Sequence, residues 1–288
     1  MVPRPYCVHT DPVSAAPSSD TDTDTGTAPF GRALRAWRVR RRLSQLDLAL
    51  AADVSARHIS FVETGRSTPS RSMVLRLADT LGVPPRERNS LLIAAGLAPV
   101  HPERALDHPD LTAVRAGLGR VLDAHEPFPC VAVDRQWDVV ATNDAAGVLL
   151  DGVSPELLER PNALRIALHP KGLAPRIRNL GEWRHHLLSR LRREVEAGGS
   201  PALHDLLSEL ESYPGPPAAP SDPAAVAVRL ETSTAEGDPL SFLNTVTTFG
   251  TALDPTAAEL SVETFLPADD ATAAALVCLA ATHARSPK

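Results

Sequence analysis

From Phe30 onward, apolar residues recur at helical spacing, with Leu34, Trp37 and Leu43 marking one face. Residues that open helices break this pattern at Ser44, Ser55, Ser70 and Pro84, so five short helices are predicted before Gly96. The prolines and histidines of 98–109 interrupt any period and read as a linker. Beyond it the pattern shifts to alternation: Val131, Val133, Trp137, Val139 and Val140 flank the turn-like Asp134-Arg135-Gln136, which predicts a hairpin. Helical spacing returns around 143–150, 155–168, 183–196 and 201–212. Three segments rich in Val, Thr and Phe, 225–232, 240–249 and 259–266, then read as antiparallel strands before a closing helix over 269–281. Residues 1–29, rich in Pro, Ser, Thr and Asp, cannot bury enough apolar area to offset ordering entropy and read as a disordered tail, and 283–288 as a second tail.

In the segment 45–64, small and apolar residues fall where two steeply crossed helices must touch. Leu48 and Ala49 lie on the first helix, Val54 fills the turn, and Ile59 and Val62 face back from the second; Ala49 is small where the helices approach. With Ser44-Gln45 opening the first helix and the exit Glu63-x-Gly65-Arg66-x-x-Pro69-Ser70, residues 30–97 resemble the XRE family of phage-repressor-like helix-turn-helix proteins. Asp53 replaces the glycine usual at the turn, a place where aspartate tolerates a left-handed backbone. The resemblance implies that Arg38 and Glu63 lock the helices together. It also implies that the second helix turns Ser55, Ala56, Arg57, Ser60 and Phe61 toward base edges of double-stranded operator DNA, with His58 at the flank. Arg57 suits a guanine and Phe61 a thymine methyl. Gln45, Arg66, Ser67 and the run Arg40, Arg41, Arg42 are candidates for phosphate contact.

Charge changes the picture only when read by segment. The chain as a whole carries −6, yet residues 30–97 carry +7 and residues 98–288 carry −10. A basic module followed by an acidic one fits a head that meets phosphates and a body that does not.

The stretch CVAVDRQWDVVATNDAA, with LHPKGLAPRIRNLGEW and FLNTVTTFGTALDPTAAEL, makes residues 110–282 resemble the MmyB-like ligand-binding domain, a PAS-like sensor. The chain is thus identified as α+β: an all-α five-helix repressor-like DNA-binding domain over 30–97, a linker over 98–109, and a PAS-like antiparallel-sheet domain with covering helices. The resemblance implies helices over one face of a five-stranded sheet, a fatty acid or other amphiphilic small molecule as ligand, and a homodimer. The residues themselves leave two readings for Trp137, Leu164, Trp183, Leu187, Phe242, Val246 and Phe265: filled core or pocket wall. His169, Arg176 and Asn179 either hold a carboxylate head group or form a solvated loop with Asn179 as a helix cap.

No nucleophile elbow, P-loop, dinucleotide fingerprint or zinc spacing occurs, so neither catalysis, a metal nor a cofactor is expected. His185 and His186, adjacent on a helix, point apart. Three distant cysteines, no signal-like start and no apolar run long enough for membrane insertion point to the cytoplasm. The predicted function is a sequence-specific transcription regulator controlled by a small apolar ligand. The alternative is a regulator whose C-terminal domain is a protein-interaction or dimerisation module.

Overall fold

The computed structural model describes residues 29–100, 103–197, 200–217, 219, 227–249 and 254–285. The tail expected over 1–29 lies outside them except for Pro29, as do residues 286–288 of the second tail and 101–102 of the linker. The described residues divide into two compact units: those within 29–105 together with 254–258, and those within 106–249 together with 259–285.

The first unit holds α1 (Pro29–Arg40), α2 (Gln45–Ala51), α3 (Ala56–Glu63), α4 (Arg71–Thr80) and α5 (Pro85–Ala94). α2, α3 and α4 start at Ser44, Ser55 and Ser70 because each serine supplies an acceptor for orphan helix N–H groups, and α5 starts after Pro84 with Pro85 at its first position. Ser44 Oγ accepts from Asp47 N at 3.0 Å while the Asp47 carboxylate accepts from Ser44 N at 2.8 Å, a reciprocal capping box. Ser55 and Ser70 cap α3 and α4 in the simpler way. Asp53 has φ 53°, the left-handed backbone expected of the turn between α2 and α3. Leu34, Leu48, Ile59, Val74, Leu77 and Leu92 are fully enclosed between the five helices, and Ala49 is buried with them. Gly31 is dictated by the same closeness: a Cβ there would stand 2.4 Å from Glu63 O, so α1 reaches the end of α3 only through glycine.

The second unit runs α6 (Thr112–Ala124), β1 (Cys130–Val133), β2 (Val139–Thr142), α7 (Gly147–Leu150), α8 (Pro155–Glu159), α9 (Ala163–Leu168), α10 (Leu180–Glu196), α11 (Pro201–Ser212), β3 (Arg229–Ser233), β4 (Pro239–Thr248), β5 (Ser261–Pro267) and α13 (Asp270–Arg285); α12 (Pro255–Ala258) lies between β4 and β5 in sequence. Among the described residues, five strands join one antiparallel sheet in the order β2-β1-β5-β4-β3. The β1–β2 turn is held by Asp134 Oδ1, which accepts from Gln136 N at 2.8 Å and Asp138 N at 3.0 Å. The single helix expected over 155–168 is two, because Pro161 drives Arg160 out of helical geometry and Asn162 then caps α9. Of the strand expected over 225–232, residues 225–226 lie outside the described residues and the strand begins at Arg229.

The sheet is covered on both faces, not one. On the first, α7, α9, α10, α11 and α13 pack over Val133, Leu230, Leu240 and Phe242 as the main core. On the other, α6 lays Leu118 and Leu122 over Cys130, Ala132 and Val262. Alternate residues of a strand face opposite sides, so β1 divides itself between the two cores. The segment carrying α12 groups with the first unit: Arg104 Nη1 donates to Asp254 Oδ2 at 2.9 Å, Thr256 Oγ1 donates to Arg104 O at 2.6 Å, and Pro255 and Ala257 are buried. Among the described residues, no helix is long and apolar enough to cross a membrane.

Candidate nucleic-acid interface and ligand core

The second helix of the helix-turn-helix, α3, is fixed from behind. Glu63, at its end, accepts from Arg38 Nε at 2.6 Å and Nη2 at 2.9 Å, and from Gln45 Nε2 at 2.8 Å. Glu63 is 3% exposed and Arg38 12%, so the fork is largely enclosed and sets the angle between α1, α2 and α3. Fixing Ile59, Val62 and Glu63 inward leaves the opposite face of α3 to solvent. There Arg57 is exposed, Ala56, His58, Ser60 and Phe61 are half-buried, and the Arg57 guanidinium lies 5.1 Å from the Phe61 ring centroid. A cation and an aromatic edge thus stand side by side, one suited to a purine edge and the other to a methyl group.

The remaining candidates divide by what already holds them. Arg66 is exposed after Gly65 (φ 74°), while Ser67 is half-buried and its amide turns back to Phe61 O. Arg40 is exposed and lies over Trp37 at 4.9 Å. Arg41 is instead drawn to the end of α4, donating to Leu81 O at 2.8 Å and Gly82 O at 3.0 Å, because those helix-end carbonyls attract a cation. The Gln45 amide serves Glu63, and Ser55 Oγ serves as the cap of α3. Arg41 and Gln45 thus carry structural contacts that the sequence reading did not assign to them, while Ser55 keeps the helix-opening place read from the sequence.

In the second unit, Trp137, Leu164, Trp183, Leu187 and Phe242 meet in one buried apolar cluster, with Phe265 packed edge-on against Phe242 at its margin. Val246 departs from this set and is 44% exposed. It shares a face with Phe242, but Thr245–Thr248 are all exposed, so β4 runs past the cover and alternation alone places Val246 wrongly. The three polar candidates do not converge on one point. Arg176 donates to Leu149 O at 2.8 Å, Ser233 O at 3.1 Å and Val148 O at 3.3 Å. Burial pulls its pKa below the usual arginine value, and it forms no side-chain ion pair among the described residues. Asn179 precedes α10 without capping it: its amide donates to Arg229 O at 2.8 Å and Glu182 Oε2 at 3.0 Å, and its oxygen accepts from Glu231 N at 3.1 Å, fastening α10 to β3. His169 Nδ1 accepts from Lys171 N at 3.0 Å, and its ring meets Tyr213 edge-on.

A polar cluster against the apolar one was not anticipated. Arg190 forks onto the buried Glu263 of β5 at 2.8 and 3.1 Å, pairs with Glu194, and lies 4.3 Å over the Trp137 ring, while Trp137 Nε1 donates to Glu194 Oε2 at 2.8 Å. Burial pushes the Glu194 carboxyl above its usual range, opposed by the indole and by Arg190. His186, stacked on Trp183, is pulled below the usual histidine value by burial and by Arg190. The signal in the sequence was Glu263, a lone charge in a strand whose other residues are uncharged. Cys130 is enclosed, and burial raises its thiol.

Residues 114–279 match the family described as the MmyB-like transcription regulator ligand binding domain, and residues 29–91 match a helix-turn-helix domain family. The chain is 38% identical over 130 residues to uncharacterized HTH-type transcriptional regulators of Mycobacterium bovis and Mycobacterium tuberculosis. The match spans 43% of this chain and 44% of each relative's length. Among solved structures, the restriction-modification controller protein C.AhdI of Aeromonas hydrophila is 34% identical over 21% of this chain and 92% of that one, with a TM-score of 0.21. The clp gene regulator ClgR of Corynebacterium glutamicum is 27% identical over 35% of this chain and 93% of that one, with a TM-score of 0.22.

Proposed function

We propose that this chain, which belongs to the family of transcription regulators with an MmyB-like ligand-binding domain, is a cytoplasmic, non-catalytic regulator. It binds operator DNA as a homodimer and alters that binding when a fatty-acid-like amphiphile enters its C-terminal unit. The observation that carries the DNA half is the solvent face of α3, where Arg57 and Phe61 stand together on a unit of charge +7. Arg57, Ser60 and Phe61 read bases, whereas Arg40, Arg66 and Ser67 position the phosphates. Gln45 and Arg41 hold the frame from which the others reach.

The ligand half is supported by Arg176, a half-buried cation whose partners are neutral carbonyls, so a carboxylate there would supply a counter-ion. The acyl chain would enter the cluster of Trp137, Trp183, Leu187 and Phe242, displacing side chains that are closed together here. That closure also favours a second reading, in which the domain serves assembly and takes no small ligand. Selecting bound DNA from a random pool with and without dodecanoate tests the proposal. A recovered consensus whose affinity shifts about fivefold with dodecanoate, the low end of allosteric coupling, supports it. A consensus indifferent to every amphiphile, with a bare chain in native mass spectrometry, leaves the assembly reading. The absence of any consensus overturns the DNA-reading half.

A further inference from the structure

A pocket in the C-terminal unit, at the edge of the cluster that holds Trp137 and Phe242, carries acidic residues where the polar candidate Arg176 is basic. It is a half-open pocket of about 230 Å3 beside α13, lined by Val148, Leu276, Leu279 and Ala280 together with the exposed acidic residues Glu126 and Asp144. Glu126 Oε1 accepts from Ala145 N at 3.2 Å, which ties that side chain to another lining residue, and its second oxygen makes no hydrogen bond among the described residues. Asp144 begins the helical turn capped by Asn143, where an acid is favoured electrostatically. Among the described residues, neither carboxylate has a cation within ion-pair distance; every salt bridge of the unit lies elsewhere.

We infer that this cavity is a binding site for a small organic cation, a primary ammonium on an apolar alkyl or arylalkyl body. Two carboxylates at one mouth repel a fatty acid and offer an ammonium acceptors for its three N–H donors, while the Val, Leu and Ala walls take the body. The volume sets the size. A cavity of about 150 Å3 takes benzene, so about 230 Å3 has room for roughly nine heavy atoms, the size of n-octylammonium or phenethylammonium. This site does not depend on the fatty-acid reading: it borders that region through Leu276 and through Val148, whose carbonyl Arg176 holds, but its acidic residues are Glu126 and Asp144 and none of the aromatic side chains lines it.

The test is titration of the full chain, without DNA, by n-octylammonium in a calorimeter and by saturation-transfer NMR, with octanol and octanoate as the neutral and anionic controls. The ammonium is expected to bind at least about threefold more tightly than octanol, with octanoate weakest. Glu126→Gln and Asp144→Asn, both at exposed positions that leave the core intact, should each weaken the ammonium by about threefold and leave octanol unchanged. Ala280→Phe, which fills the cavity from its wall, should abolish both. No binding of the ammonium up to about 5 mM overturns the inference, as does equal binding of octanol or indifference to the two amide substitutions. Binding that survives Ala280→Phe in a folded variant places the ammonium elsewhere and overturns it too.

Discussion

Replacing Glu63 by alanine removes the group on which three side-chain N–H donors converge, two from Arg38 and one from Gln45. After truncation Arg38 keeps one acceptor, Leu43 O at 2.8 Å, and its charge is left in a site where it is only 12% exposed. Breaking a buried pair in this way costs about 3–5 kcal/mol. Arg38 lies near enough to the surface for partial rehydration, so the lower end, about 3 kcal/mol, applies. A unit of this size has about 5–15 kcal/mol in all, and each kcal/mol shifts Tm by about 4–8 °C. The expected fall is therefore about 12–24 °C for the N-terminal transition, followed by calorimetry or circular dichroism on the full chain. Glu63→Leu combined with Arg38→Met should recover most of the loss, because the cost arises from an orphaned charge rather than from an absent attraction. A fall under about 4 °C, or a double variant no better than Glu63→Ala, would refute the assignment of this fork as an enclosed clamp.

Arg57→Ala should cost about 1–3 kcal/mol on the best operator and flatten preference at one base position, whereas Arg66→Ala should weaken all sequences alike; single-base operator variants in fluorescence anisotropy separate the two. Asp254→Ala, which removes the acceptor of Arg104 and the cap of Thr256 N, should lower the stability of the N-terminal unit by about 1.5 kcal/mol. For the same reason a fragment of residues 29–100 should unfold at lower urea than the same unit in the full chain, and equal midpoints would contradict the grouping of α12 with it. Glu194, raised by burial, holds its proton more tightly folded than unfolded. Its contribution is fully present below the ordinary carboxylate pKa and is lost as pH rises through its raised folded value. Glu194→Gln should flatten that decline in urea midpoints measured across the acid-to-neutral range, and an unchanged slope would be a failure.

The N-terminal helices were legible because their signals are local. Caps at Ser44, Ser55 and Ser70, the left-handed Asp53 and the small Ala49 each act within a few residues of where they stand. What the sequence concealed was long-range. Helix α6 was not anticipated: Gly117 and Gly119 each lower helix propensity by about 1 kcal/mol, and only packing of Leu118 and Leu122 on the outer sheet face outweighs them. The four residues of α12 are too short to give a period, and they gain their order from Arg104, some 150 residues earlier in the chain.

The site was less legible than the fold because a charged side chain does not announce its partner. Arg41, Arg57 and Arg66 are indistinguishable in a string, yet α4 ends within reach of the first and solvent surrounds the other two. On α10, Arg190 and Glu194 at i and i+4 have the spacing of a solvated ion pair. Glu263 and Trp137, brought across by the sheet, turn that pair into an enclosed network. Arg176 is the converse, since its position in a Pro-flanked stretch suggests a loop open to water, while its donors reach three carbonyls on two separate elements. Each partner is set by topology, and the electrostatic contribution of a charge depends on whether that partner is ionic, dipolar or water. Arg190 is satisfied by carboxylates and Arg176 only by dipoles. An incoming anion would therefore gain more at Arg176, where Asp151 and Glu236 act only through space, than at Arg190, where it would have to displace Glu263.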